Sequence, residues 1–192
     1  MSRPVLLLLD YQVELCKHGA LGEHARERGV LTAAAAMLEE FRRRDLPRLF
    51  VRACFDEHYT RMTSAAPFFR SIREQNRLQD DDPLSAICDE VSPLPGEPVI
   101  TKGGADPFIG TNLTQKLAQL QPTELVLGGV ATNFVVEATA RTGSDSGYHI
   151  TVLEDLCSSF DDETHTFSVQ RMLPAFSRIL TSHQLTEELK RT

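Results

Sequence analysis

The sequence predicts a three-layer α/β/α domain around a six-stranded, mainly parallel sheet, and three observations predict it. Apolar runs of strand length alternate with segments of helical composition along the whole chain, the pattern of strands joined by right-handed helical crossovers. The first run, "PVLLLLD" at 4–10, is apolar without interruption, as expected of a strand covered on both faces. No internal repeat or low-complexity linker divides the 192 residues, a length that a single core accommodates.

Each element has its own signal. After the strand at 4–10, "VLTAAAAMLEEFRRRD" (30–45) has the composition and period of a helix, and Arg42, Arg43 and Arg44 suit the negative end of its dipole. "PRLFVRAC" (47–54) is a second strand, led in by a proline where a missing N–H does least harm. "EPVITK" (97–102), "ELVLGGV" (124–130), "YHITVLED" (148–155) and "SRILTS" (177–182) complete the six. Helices are expected at 111–120, 133–146, 161–173 and 183–190. The exception to short connections is 55–96, rich in Pro, Asp and Arg. An insertion of this length is expected to be a lid or an interface, with a helix in "TSAAPFFRSIREQNRL".

Composition narrows the function classes. Apolar content of 41% and charged content of 24% fit a globular domain. The net charge of −7 argues against a nucleic-acid or anionic-membrane surface. No segment approaches the roughly 18 apolar residues of a membrane span, and the first strand meets an acid without any cleavage site of a signal peptide. Cys16, Cys54, Cys88 and Cys157 are scattered without CxxC spacing, so neither a metal finger nor a disulfide framework is expected, and a reducing cytoplasm is the expected setting.

Open parallel sheets bind ligands at the carboxyl ends of their strands, which here present Asp10 and Gln12, Arg52 and Cys54, Lys102, the 129–134 turn and Asp155. A strand-end Asp alone commonly caps a turn, and a strand-end Lys alone is commonly solvated. Facing each other across one crevice, Asp10 and Lys102 would form a proton carrier beside a cationic anchor. The turn "GGVATNFVV" breaks from a strand into a helix, where free N–H groups gather, yet it holds no Ser, Cys or His.

These segments resemble the isochorismatase-like hydrolases of the cysteine hydrolase superfamily over nearly the whole chain. "LLLLDYQVE" is similar to the family's opening Asp-x-Gln strand. "VITKGGADPFIGTNL" resembles its lysine segment, "LVLGGVATNFVVEATART" its Thr-Asn/Asp-x-Cys-Val segment, and "ITVLEDLCSS" its next strand. The resemblance implies one domain over 1–192, a six-stranded parallel sheet, homo-oligomerisation and a small-molecule substrate. It also implies an Asp-Lys-Cys triad, carried here by Asp10 and Lys102 with Val135 at the cysteine's position. A non-proline cis bond is implied at Val130–Ala131, and N–H groups around Ala131 and Val135 would form an anion hole. The substrate and anion-binding residues expected from the motifs are Gln12, Phe108, Val130, Ala131, Thr132, Asn133 and Phe134. Phe108 has a core role as its alternative.

A valine cannot attack a carbonyl, which closes the thioester route of the family's amidases. The family's isochorismatases hydrolyse a vinyl ether without the cysteine, by protonating the vinyl carbon. Asp10 would supply that proton while Lys102 orients it and anchors a small anionic substrate. Two alternatives stand beside this one: a displaced nucleophile, Cys54, retaining C–N hydrolysis, and a pseudoenzyme that binds a ligand without turnover. Arg61 and Arg70 are candidate substrate contacts in the insertion. His149 and His165 are expected to be structural or solvated, and the resemblance implies a packing role for Cys157. Asp56 and His58 match part of the metal motif of the nicotinamidases, but Met62 stands where the next His would be, so neither a metal nor any other cofactor is expected.

Overall fold

The computed structural model describes residues 3–191. Strands β1 (Pro4–Leu9), β2 (Arg48–Ala53), β3 (Val99–Lys102), β4 (Glu124–Val130), β5 (His149–Ser158) and β6 (Arg178–Leu180) form one sheet in the order β3-β2-β1-β4-β5-β6. Every neighbouring pair is parallel. The chain runs outward from β1 through β2 to β3 and then returns to pair β4 with the other side of β1. The strand order therefore reverses at β1, and such a switch point opens a crevice at the carboxyl ends of the strands.

The helices are α1 (Val13–Lys17), α2 (Gly19–Glu27), α3 (Val30–Arg43), α4 (Pro67–Glu74), α5 (Leu113–Leu120), α6 (Glu137–Asp145), α7 (Asp162–Phe167) and α8 (Ser182–Lys190). All six residues of β1 are buried, and they alternate between two cores. Leu6 and Leu8 pack on one face with Met37, Leu38 and Phe41 of α3. Val5, Leu7 and Leu9 pack on the other with Leu113, Leu117, Val136 and Ala140. A third, smaller cluster (Phe55, Tyr59, Phe69, Ile72 and Leu78) belongs to the 55–96 insertion, whose helix is α4.

The six parallel strands and the three layers match the sequence-based expectation. Boundaries differ where local pattern was weak. Helices α1 and α2 were not anticipated in 13–27, a stretch with Lys17, His18, Gly19, Gly22 and His24 between its apolar residues and little helical period. Strand β5 continues to Ser158, because after a register shift beside Leu127 and Gly129 it pairs Ser158 with Val130. The helix expected over 161–173 ends early: α7 passes into a wide turn at Ser168–Met172 and a tight one at Leu173–Ala175, where Pro174 lacks the N–H to continue. The triple arginine is fully committed to ion pairs, Arg42 with Glu97 at 2.7 Å and both Arg43 and Arg44 with Glu40.

The Gly128-Gly129 pair is explained by crowding. Strand β4 lies so close to β1 that a Cβ on Gly129 would stand 2.5 Å from the Leu9 carbonyl oxygen, and one on Gly128 2.8 Å from the Tyr11 hydroxyl. Backbone cannot retreat as a flexible side chain can. Gly129→Ala is therefore expected to lower stability by about 1–3 kcal/mol, read as a shift in the urea unfolding midpoint at unchanged m-value.

Candidate active site

Asp10 follows β1 and Lys102 ends β3, with Ala53 of β2 between them in register with Lys102. The chain turns sharply at Asp10, whose φ of 57° is left-handed, a conformation Asp and Asn tolerate better than most residues. Its carboxylate is thereby swung across the end of β2. Lys102 Nζ lies 2.8 Å from Asp10 Oδ2 and donates a second hydrogen bond to the Gly104 carbonyl at 2.8 Å. Both side chains are almost entirely buried, at 7% and 2% exposure. Asp10 Oδ1 has no hydrogen-bond partner. Burial raises the Asp10 pKa above the usual carboxylate value, outweighing the attraction of Lys102 that would lower it.

The pair faces a small cavity of about 40 Å³, room for one or two waters. Val130, Ala131, Phe134 and Val135 line it from the turn after β4, and Phe68, Phe69, Ile72, Arg77 and Leu78 from the insertion. Leu15, Leu21 and Phe160 complete the wall. Phe134 stacks at 4.7 Å from Phe68 and 5.9 Å from Phe160. Val130–Ala131 is a cis peptide bond, as the resemblance implied. The wide helical turn Thr132–Val136 then brings Val135 to face the cavity beside Asp10 and Lys102.

Several expected contacts lie elsewhere. Gln12 is buried and fully engaged with backbone: Nε2 donates to the Ala53 and Ser85 carbonyls at 2.8 and 2.9 Å, and Oε1 accepts from Ala53 N–H. It ties β2 to the insertion and leaves no donor for substrate. Thr132 donates to the Ser158 carbonyl at 2.9 Å, and Asn133 accepts from Ser159 Oγ at 2.6 Å, so both side chains brace the turn from behind. Phe108 takes its alternative role, packing in the core beneath α6 near Gly143. Arg61 bonds the Cys54 carbonyl and Asp80, and Arg70 is exposed outside the cavity.

The cysteine alternative loses its geometry. Cys54 is buried, but its thiol is directed to Asp80 and not into the cavity, and burial followed by that contact pushes its pKa up to about 11. Cys157, in the core, is pushed up to about 12 by burial. Among the described residues no cysteine lines the cavity. Asp56 organises its own loop, accepting from the N–H groups of His58, Thr60 and Arg61 and from the Thr60 hydroxyl. Those bonds, the Thr60 N–H foremost, hold its pKa well below the usual range.

His165 is buried and partnered, which the sequence did not signal. Its Nδ1 lies 2.8 Å from Thr132 Oγ1. Because the Thr132 hydroxyl proton goes to Ser158, Nδ1 is assigned as the protonated nitrogen that donates to Thr132. Nearby, His24 Nδ1 is 2.9 Å from Ser158 Oγ and its Nε2 is 3.1 Å from Asp162. His165 thus braces the back of the turn from α7, while His24 ties α2 to the end of β5. Other residues missed by sequence reasoning are Phe68, Phe69, Phe160 and Arg77. No motif marks them, and only the fold brings them to the strand ends.

A buried acid–lysine pair stands at the switch point of a parallel sheet, under an apolar wall. The isochorismatase domain family matches residues 4–184, and the chain belongs to the isochorismatase family. It is 26% identical over 187 residues to the uncharacterized isochorismatase family protein YecD of Escherichia coli O157:H7, covering 96% of this chain and 95% of that one. It is 21% identical over 188 residues to the maleamate amidohydrolase of Pseudomonas putida, covering 98% and 87% respectively. A cysteine hydrolase from Pseudomonas syringae superposes with a TM-score of 0.88 at 17% identity, over 98% of this chain and 93% of that one, which speaks for the fold alone.

Two outcomes follow from these contacts. Lys102→Met leaves the Asp10 carboxylate buried without its partner and is expected to cost about 3–5 kcal/mol near neutral pH. Loss of the lysine raises the Asp10 pKa further, and stability attached to a raised carboxylate pKa is present at low pH and lost as pH rises through it. The deficit against wild type should therefore shrink as pH falls, read from denaturation midpoints across pH. His165 behaves in the opposite sense. Its pKa is lowered to about 4, chiefly by burial, so its contribution is present above about 6.5, the ordinary histidine value, and is lost as pH falls toward 4. His165→Gln should flatten the stability profile in that window.

Proposed function

We propose that this protein is a hydrolase that works without a cysteine nucleophile, cleaving a vinyl ether of the isochorismate type with Asp10 as general acid. The observation that carries this reading is Val135 beside the buried Asp10–Lys102 pair, in a cavity that no cysteine lines. A general acid near neutral pH needs a carboxyl pKa above the ordinary value, and burial supplies one at Asp10. The unpartnered Oδ1 is the oxygen free to hold the transferable proton.

The step balances as follows. The Asp10 proton moves to the vinyl carbon, the double-bond electron pair forms the new C–H bond, and an oxocarbenium ion results. Water adds to the oxygen-bearing carbon of that ion and returns a proton to the Asp10 carboxylate. The hemiketal then collapses to a ketone and an alcohol. Lys102 keeps Asp10 oriented throughout. The small cavity and the Val135 side chain restrict the body of the substrate that fits, and relatives that act on amides, such as the maleamate amidohydrolase, leave C–N hydrolysis as the competing outcome.

Incubation with isochorismate and with a panel of primary amides, maleamate included, decides the reaction class. Vinyl-ether turnover is expected, and Asp10→Asn, which also suits the left-handed backbone, should lower kcat/KM by 10²-fold or more. Activity should decline as pH rises through the Asp10 pKa, because the protonated form is the reactive one. Amide turnover that Cys54→Ala abolishes would overturn the proposal. Ligand binding without any turnover would point instead to a pseudoenzyme.

A further inference from the structure

The cavity wall carries three charged side chains, Asp10, Lys102 and Arg77, and they are not equivalent. Asp10 and Lys102 neutralise each other at 2.8 Å. Arg77 stands apart, on the insertion, in a wall otherwise made of Phe68, Phe69, Ile72, Leu78 and their neighbours. Its Nε bonds the Glu14 carboxylate. Neither Nη has a protein partner among the described residues. The free edge of the guanidinium is a fork of N–H donors that matches a carboxylate.

The backbone around Arg77 is held in place as firmly as that of Asp10. Asn76 and Leu78 on either side both adopt left-handed φ, 53° and 57°. For a buried leucine that conformation is unfavourable and persists only where surroundings enforce it. Those surroundings are visible: Arg77 N–H donates to the Ile72 carbonyl at 3.0 Å, its own carbonyl accepts from the Tyr59 hydroxyl at 2.8 Å, and the Leu78 carbonyl accepts from Phe55 N–H at 2.9 Å. The double reversal lets residue 77 present its side chain to the cavity while Leu78 stays in the core of the insertion. At 35% side-chain exposure, Arg77 sits at the mouth, with Asp10 at the floor.

We propose that Arg77 is the carboxylate-binding residue of this pocket, selecting substrates with an apolar body that carries a carboxylate at the end facing the insertion. The body lies against Phe68, Phe134 and Phe160, which contact one another in tilted and edge-to-face arrangements on the cavity wall. Glu14 orients the guanidinium and leaves its outer edge to the ligand. The proposal names the substrate class of the site described above and rests on that reading for the position of the reacting group, but carboxylate binding itself requires no turnover.

The test measures binding of benzoate and crotonate against their uncharged counterparts, benzyl alcohol and crotyl alcohol, by titration calorimetry. Wild type is expected to favour the carboxylates by about tenfold or more, the scale of one charge-assisted hydrogen bond. Arg77→Met should erase that preference while leaving alcohol affinity unchanged, and Arg77→Lys should restore part of it. Since Arg77→Met leaves Glu14 unpaired, the Glu14→Gln/Arg77→Met double variant provides the same comparison in a neutral pair. Asp10→Asn should keep the preference, so failure of the Asp10 chemistry and failure of the Arg77 site give different results. An undiminished carboxylate preference in Arg77→Met or in the double variant, or no preference in wild type, overturns the proposal.

Discussion

The interaction on which the site depends is the buried ion pair between Asp10 and Lys102. Two charges removed from water are costly unless their geometry is close and their remaining valences are met. Lys102 is well provided for, by Asp10 and the Gly104 carbonyl, whereas Asp10 keeps one oxygen unmatched. A site built only for stability would more readily hold two apolar side chains here. Burial is what raises the carboxyl pKa, and among the described residues one of its oxygens is left unengaged.

The rest of the fold serves to hold that pair still. Its two members come from β1 and β3, which are not neighbours, so the end of β2 must be fixed between them. Gln12 does this by bonding both the N–H and the carbonyl of Ala53 and then the Ser85 carbonyl, which ties the insertion to the same point. On the other side the Thr132–His165 contact and the Asn133–Ser159 contact secure the turn that carries Val135. These buried polar bonds are outside the cavity, yet each fixes a segment that lines it.

Much of the fold was legible in the sequence because it follows from pattern. A strand buried on both faces must be apolar throughout, and "PVLLLL" is. Asp10 and Lys102 were legible for the same reason, as charges that end apolar runs at the carboxyl side of a parallel sheet. Side-chain direction was not legible. Gln12, Thr132 and Asn133 lie within one or two residues of cavity-lining positions but turn away, Gln12 and Thr132 to backbone carbonyls and Asn133 to the Ser159 hydroxyl, and a change of φ at one residue decides between the two outcomes. Arg77 was hidden more deeply. It lies in the aperiodic insertion, between two residues whose left-handed conformations nothing in an Asn-Arg-Leu tripeptide announces. Arg61 and Arg70 had equal claims there on sequence alone, and only packing separates the three.

Val135 ties the two halves of the site together. Its side chain is 1% exposed and belongs to the core cluster that includes Val136, Ala140 and Leu9, while also forming part of the cavity wall. A thiolate at this point would need solvation or a cationic neighbour. A valine needs neither and makes the space around Asp10 drier. Lower local polarity disfavours the charged carboxylate, which raises the pKa in the direction an acid requires and a nucleophile-assisting base does not. On the reading proposed above, a valine at this position thus favours the acid chemistry, and the apolar wall contributed by Phe68, Phe134 and Phe160 acts in the same sense.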